Sequence, residues 1–213
     1  MKLVIGNKNY SSWSLRPWFL LKAFGIDFDE VKIGLYQANT ADRLRQYSPS
    51  LKVPVLVDGD LVVWDSLAIC EYISEQYLAG EGWPESVADR AICRSVVAEM
   101  HSGFFALRNE LPMNIRHSKP LDVTEAARKD VVRVVQVWGG LRDKYQHEGP
   151  WLFGRFSIAD CMFAPVALRF RSYQIELPNV AEHYKQTLLD HPAMKAWMTD
   201  AISEKEHIDE VEL

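Results

Sequence analysis

Apolar and polar positions divide this chain of 213 residues into two regimes. In the first third the apolar residues come in short runs broken by turn chemistry. Leu3-Val4-Ile5-Gly6 reads as a strand, and residues 7–14 as a polar loop. The run from Leu15 through Trp18, Leu20 and Leu21 to Gly25 reads as a helix. Ser14 can cap it, Pro17 falls in its first turn where amides lack partners, and Gly25 can close it in a left-handed conformation. Residues 26–33 alternate as a strand does. Residues 55–57 and 61–64 are two further strand-like runs flanking an Asp58-Gly59 hairpin signal, and Asp65-Ser66 opens another helix.

Past Gly80-Glu81-Gly82-Trp83-Pro84 the strand pattern stops. Ile92, Val96, Met100, Phe104 and Leu107 recur at helical spacing, which predicts a helix over residues 87–111. Ala127, Val131, Val134, Trp138 and Leu141 predict another over 124–145. Further helices are expected near 157–171 and 178–190, with His191-Pro192 opening a last one. Ser157 followed by Asp160 at the third helical position is a capping box, a structural device. The fold class that follows is an α/β thioredoxin-like domain over residues 1–80 joined to an all-α domain over residues 85–213.

Pro54 stands where a strand should begin, although proline gives a sheet no amide donor and is confined to strand starts, edges and bulges. A cis Val53-Pro54 bond would turn the backbone of Val53 outward with its N–H and C=O unpaired. A peptide-like ligand can pair there as an added strand. The helix start at Asp65-Ser66 adds amides and a hydroxyl suited to a carboxylate. Redox members of the thioredoxin-like fold carry Cys-x-x-Cys at the first helix, where this chain has Ser11-Ser12-Trp13-Ser14. A hydroxyl forms no disulfide, so dithiol chemistry is excluded at that position. It can still donate a hydrogen bond to a thiolate brought by another molecule.

Composition narrows the function classes further. A net charge of −5 with dispersed lysine and arginine lacks the clustered basic face that nucleic acid requires. No apolar run approaches the ~20 residues of a membrane span. The N-terminus leads directly into a strand with no signal peptide, and a cytoplasmic location is expected. Cys70, Cys93 and Cys161 lie in apolar helical contexts at no close spacing, as reduced buried thiols do. The six histidines show no metal-ligand spacing, so no metal is expected.

The Ser-Ser-x-Ser-x-Arg segment at residues 11–16, Val53-Pro54-Val55-Leu56 and Asp65-Ser66 before a helix together resemble the N-terminal domain of cytosolic glutathione S-transferases. The resemblance is to the serine-type classes, and the spacing from Ser11-Ser12 to Arg16 is nearest the zeta class of maleylacetoacetate isomerases. Two positions depart from that class: Trp13 stands in place of a cysteine, and Asp65 in place of a glutamine. The resemblance implies glutathione as co-substrate, a small-molecule electrophile as the second substrate, and a homodimer. It makes Ser11 the catalytic hydroxyl, with Ser12 the alternative donor to the sulfur. Lys52, Val53, Pro54, Asp65 and Ser66 join the two serines in holding glutathione. His101 and Arg108 are candidates for the second-substrate pocket. Arg169 and Arg171 lie near an arginine that receives a substrate carboxylate in zeta enzymes, but neither is in its register. Two other readings stay open: cis–trans isomerisation of a small diacid, and a non-catalytic glutathione-binding or interaction module.

Overall fold

The structure, a computed structural model, describes residues 1–209 and 212. The first half runs β1 (Lys2–Ile5), α1 (Ser12–Ala23), β2 (Asp29–Lys32), α2 (Thr40–Arg45), β3 (Val55–Asp58), β4 (Leu61–Trp64) and α3 (Ser66–Tyr77). Its four strands lie in the order β2-β1-β3-β4, with β1 and β2 parallel and the remaining pairs antiparallel. The twofold alternation of a strand sorts the side chains. Leu3, Ile5 and Leu56 pack under α1 and α3, while Val4 and Val55 face Ile33 and Leu44 of α2 on the other side. The central strands are therefore apolar at every position but Lys2 and Asp58, and the sheet is mixed, as a thioredoxin-like domain requires.

Several local expectations are corrected. Helix α1 begins at Ser12 with Ser11 at its N-cap, three residues earlier than a Ser14 cap would give. Ser14 does not cap because its hydroxyl accepts from the Gly6 amide at 3.1 Å and pairs with Ser11 Oγ at 2.7 Å. Pro17 consequently sits inside the helix instead of in its first turn. The other end is as expected: Gly25 has φ +67°, and Gly25 and Ile26 donate back to Lys22 and Leu21 at 3.2 and 2.9 Å. That is the Schellman arrangement, in which glycine supplies the left-handed residue. The strand expected over 26–33 is paired only from Asp29 to Lys32, as a short edge; Ile26 and Phe28 pack against the core before it begins. Asp58 belongs to β3, which moves the hairpin turn to Gly59-Asp60, with Gly59 at φ +59°. The Val53-Pro54 bond is cis. Helix α2 had no signal in the apolar pattern, since Leu44 is its one buried residue.

The second half is helical throughout its described residues: α4 (Val87–Ser102), α5 (Phe105–Glu110), α6 (Glu125–Tyr145), α7 (Ile158–Ser172), α8 (Asn179–Asp190) and α9 (Pro192–Ser203). The helix expected over 87–111 is two helices. They break at Gly103-Phe104, where Phe104 takes φ +57° and a side chain on Gly103 would meet the Glu99 carbonyl at 2.7 Å. Helix α7 is buried on every face, with only Arg171 partly exposed, and it packs against α1, α4 and α8. Its N-terminus is sealed by Asp160. That carboxylate takes the Ser157 amide (2.8 Å) and hydroxyl (3.0 Å), the Leu152 amide (3.1 Å) and the Tyr184 hydroxyl (2.9 Å). Burial pushes its pKa up to about 6 against those donors.

One apolar core runs through both halves. Trp18 of α1 meets Trp197 of α9 edge-on at 5.0 Å, and Phe19 meets Phe156 at 5.1 Å. The long fully buried helix thus serves as a common floor for the α/β layer and the helical layer.

Candidate active site

The loop from β3 back to α2, the tip of β4 and the starts of α1 and α3 enclose a cleft of about 680 Å³. Its walls are Trp13, Ser50, Lys52, Val53, Pro54, Trp64, Asp65 and Ser66. That volume is within the ~300–1,000 Å³ typical of small-ligand sites. Five of the seven glutathione-site residues proposed from the sequence therefore share one wall: Lys52, Val53, Pro54, Asp65 and Ser66. Val53 lies outside the strands, and neither its amide nor its carbonyl is hydrogen-bonded among the described residues. It is an open edge for an extended peptide.

Across the cleft, α3 begins with Asp65 at φ +76°. Its Oδ1 accepts from the Leu67 and Ala68 amides at 2.8 and 3.3 Å. Two of the helix-start amides expected to be free are thus taken by Asp65 itself. The amide and hydroxyl of Ser66 remain as donors toward an anion. Asp65 Oδ2 lies 3.2 Å from His101 Nε2, which brings α4 onto the rim of the α/β half. Burial pushes the Asp65 carboxyl up, yet His101 and the two amides outweigh it and hold its pKa below the usual 3.8. His101 therefore stands at Asp65, and its ring packs edge-on against Trp13 at 5.3 Å.

The serines lie at the positive end of α1. No acidic residue occupies the first turn, and no side chain caps its amides. Ser11 is 5% exposed and its hydroxyl points at Ser14. The Gly6 amide donates to Ser14, and when Ser14 is the donor to Ser11 the Ser11 proton is available to another acceptor. Ser12 is half-buried, and its hydroxyl accepts from Arg169 at 3.4 Å. Neither serine is part of the cleft wall; Trp13 is the α1 residue that is.

Two guanidinium groups stand beside Trp13, and a third reaches the neighbouring Ser12. Arg16 lies 4.2 Å from the Trp13 ring, is 2% exposed and donates to Ser66 Oγ at 3.3 Å. Its Nε has no partner among the described residues. Burial, together with Arg169 and Arg108, lowers its pKa to about 9. Arg108 lies 5.4 Å from the same ring, and buried Arg169 reaches Ser12 while its Nε donates to the Leu111 carbonyl at 2.7 Å. Burial lowers Arg169 to about 10. Arg171 points away, to the Ile115 carbonyl. Sequence reasoning missed Arg16 and Trp13 as parts of the site. Their signal was present: a lone arginine within the apolar run of α1 has to find a partner or a ligand.

A helix start with Ser66 as a free donor, an open backbone edge at Val53 and a hydroxyl pair at α1 lie on a thioredoxin-like sheet. Family models described as "Glutathione S-transferase, N-terminal domain" and "Glutathione S-transferase, C-terminal domain" match residues 10–76 and 122–200. The chain belongs to the glutathione S-transferase family. It is 27% identical over 190 residues to a probable maleylacetoacetate isomerase of Caenorhabditis elegans, covering 87% of this chain and 86% of that protein. It is 22% identical over 213 residues to a stringent starvation protein A homologue of Coxiella burnetii, covering 98% and 96%. A glutathione transferase homologue from Burkholderia, crystallised with bound glutathione, superposes with a TM-score of 0.73 at 22% identity over 95% of this chain and 98% of that one. That likeness is one of fold. Among the described residues no group of His, Cys, Asp and Glu could hold a metal, and no helix is long and apolar enough to cross a membrane.

Proposed function

We propose that this protein is a serine-type glutathione transferase that activates the glutathione thiol for attack on a small electrophile. Glutathione lies across the cleft with its cysteinyl backbone paired to Val53. Ser66 receives the γ-glutamyl carboxylate, and Asp65 receives the ammonium group. Lys52 and Pro54 complete that wall, and Ser11 donates to the sulfur with Ser12 as the competing donor. The observation that carries this reading is the uncapped α1 start, with the Ser11 and Ser14 hydroxyls 2.7 Å apart and the Gly6 amide donating to Ser14.

The magnitudes agree with the task. A thiol of pKa about 8.5 is only a few per cent ionised at neutral pH. Lowering it by about two units needs ~2.7 kcal/mol of preference for the thiolate. A hydrogen bond to a charged acceptor supplies ~1.5–3 kcal/mol, and an uncompensated helix start ~0.3–1 kcal/mol. One serine and the helix end suffice without a general base.

A second reading, glutathione-dependent cis–trans isomerisation of a small diacid, is favoured by the guanidinium wall of Arg108 and Arg169 beside Ser12. Conversion of a cis-enedioate with no net loss of glutathione would select it; accumulation of a saturated thioether would select transfer. The chain acts as a homodimer in the cytoplasm in this proposal. Exposed Leu51, Leu61 and Trp64 support an apolar contact face, and the three free buried cysteines support a reducing compartment.

Ultraviolet titration of the glutathione thiolate bound to the protein tests the serine assignment. The wild type is expected to titrate about two units below free glutathione, and Ser11→Ala to return at least one of those units. A shift in Ser12→Ala but not in Ser11→Ala moves the role one residue along. Tight binding with no turnover across electrophiles would leave only a binding module.

A further inference from the structure

The turn that carries Ser11 into the site is held from outside the α/β half. Residues 6–11 join β1 to α1 and contain two consecutive amides, of Lys8 and Asn9, that point away from the sheet. Both go to one carboxylate: Glu204 Oε1 accepts from Lys8 at 2.8 Å and Oε2 from Asn9 at 3.0 Å. Glu204 follows α9 directly, nearly two hundred residues away in sequence, and its side chain is only 5% exposed. Lys32 of β2 lies 3.2 Å from Oε1 and balances its charge.

Trp197, Asn114 and Arg116 serve the same turn, while the Lys8 side chain pairs with acidic groups without touching the two amides. Trp197 of α9 donates its indole N–H to the Lys8 carbonyl at 3.0 Å, and Lys8 Nζ meets Asp200 at 2.7 Å and Glu30 at 2.9 Å. The Asn9 side chain is fixed by the Arg116 amide and Asn114. Arg116 in turn donates to the carbonyls of Glu204 and Glu206 at 2.5 and 2.8 Å, holding the segment after α9 in place. From this turn to the hydroxyl the path is short. The Ser11 amide donates to the Asn7 carbonyl at 2.8 Å, so the Ser11 backbone inherits whatever position residues 7–9 are given.

We propose that Glu204 is a positioning residue for catalysis: by clamping the Lys8 and Asn9 amides it sets where the Ser11 hydroxyl stands relative to the glutathione sulfur. Glu204 touches neither substrate. This inference rests on the serine reading above. A carboxylate is suited to the task because two parallel N–H groups match its two oxygens, and a charged acceptor makes both bonds short. A displacement of the order of an ångström at a reacting group costs up to about a hundredfold in rate.

The test is the thiolate titration of bound glutathione, with steady-state kinetics, for the wild type, Glu204→Ala, Glu204→Gln and Asp200→Asn. Glu204→Gln keeps the shape and one acceptor, so it serves if the alanine variant folds poorly. Asp200→Asn removes only the Lys8 side-chain pair and is the control. The expected result is a bound thiol raised by about one unit in Glu204→Ala and by less in Glu204→Gln, with kcat down about tenfold. The KM for glutathione should move less than twofold, and Asp200→Asn should titrate as the wild type. A lowered thiol pKa in the wild type that is unchanged in both Glu204 variants overturns the clamp alone. A wild-type thiol titrating as free glutathione does overturns the serine reading and the clamp with it. Loss of the fold in both Glu204 variants assigns the carboxylate to stability and likewise overturns a catalytic role.

Discussion

Two helices of this protein start from a serine N-cap and do opposite things. Helix α7 starts Ser157-Ile158-Ala159-Asp160, and α1 starts Ser11-Ser12-Trp13-Ser14. At α7 the third helical position is a carboxylate that collects four donors beside the helix start, and the Ile158 amide of the first turn goes to the Gly82 carbonyl. At α1 the same position is a serine. It turns inward to Gly6 and Ser11, and the positive end of the helix stays uncompensated. The difference that bears on the helix end lies at the third helical position, aspartate in one and serine in the other. It teaches that a helix start becomes a site when the residue placed to close it is uncharged and engaged elsewhere.

The largest effect is expected from opening the closed end. Asp160→Ala strands buried donors of Leu152, Ser157 and Tyr184, at ~1–3 kcal/mol for each group left unsatisfied. A loss of about 3–5 kcal/mol in urea unfolding is expected, with kcat of the folded fraction unchanged in the cold. A large fall in kcat with stability retained would place Asp160 in the chemistry and dissolve the contrast.

Closing the open end comes next. Ser14→Asp sets a carboxylate at the third position of α1, next to Ser11 and so on the side of the proposed thiolate; a separation of about 5 Å sets the scale of their repulsion. At an effective dielectric near 20, repulsion of about 3 kcal/mol follows, or about two units of thiol pKa. Turnover near pH 7 should fall at least tenfold and return as pH rises toward 9. A bound-thiol titration that does not move would show that the charge balance of this helix end is irrelevant.

The smallest effect belongs to α3, a start between the two extremes, partly capped by Asp65 and partly open through Ser66. Asp65→Ala should raise the KM for glutathione about fivefold while leaving kcat within a factor of two, because the ammonium end is remote from the sulfur. The pH dependence has a definite sign. The folded-state pKa of Asp65 is depressed, so its ionised form and the contact it makes are fully present above the ordinary 3.8 and lost only as pH falls through the lowered value. Glutathione affinity should accordingly hold level between pH 7 and pH 5. An affinity that declines between pH 7 and pH 5 would show that Asp65 is not the controlling group.

Much of this contrast is legible in the chain before folding. Ser157 and Asp160 three apart announce a closed cap, the pattern Val-Pro before an apolar hairpin announces the open backbone edge, and Asp65-Ser66 marks α3 to the residue. The α1 start was misread by three residues for a tertiary reason. Ser14 looks like a cap by propensity, but the Gly6 amide, eight residues earlier, claims its oxygen. The break at Gly103-Phe104 was hidden because apolar spacing carries across it unchanged. The guanidinium wall was beyond reach for another reason. Arg16, Arg108 and Arg169 come from three helices, and only the folded chain brings the first two to the Trp13 ring and the third to Ser12.

The shared floor under both halves carries a consequence for how such a chain can change over generations. Text and mechanics have different joints here: the sequence changes character near residue 80, but Trp18, Phe19, Phe156 and Trp197 interlock across that line. A helical half exchanged at that seam would inherit a mating surface cut for a different neighbour. Novelty is therefore cheap on the rims, around Phe105 and Trp64, and conservative along α7, where any revision has to be written twice.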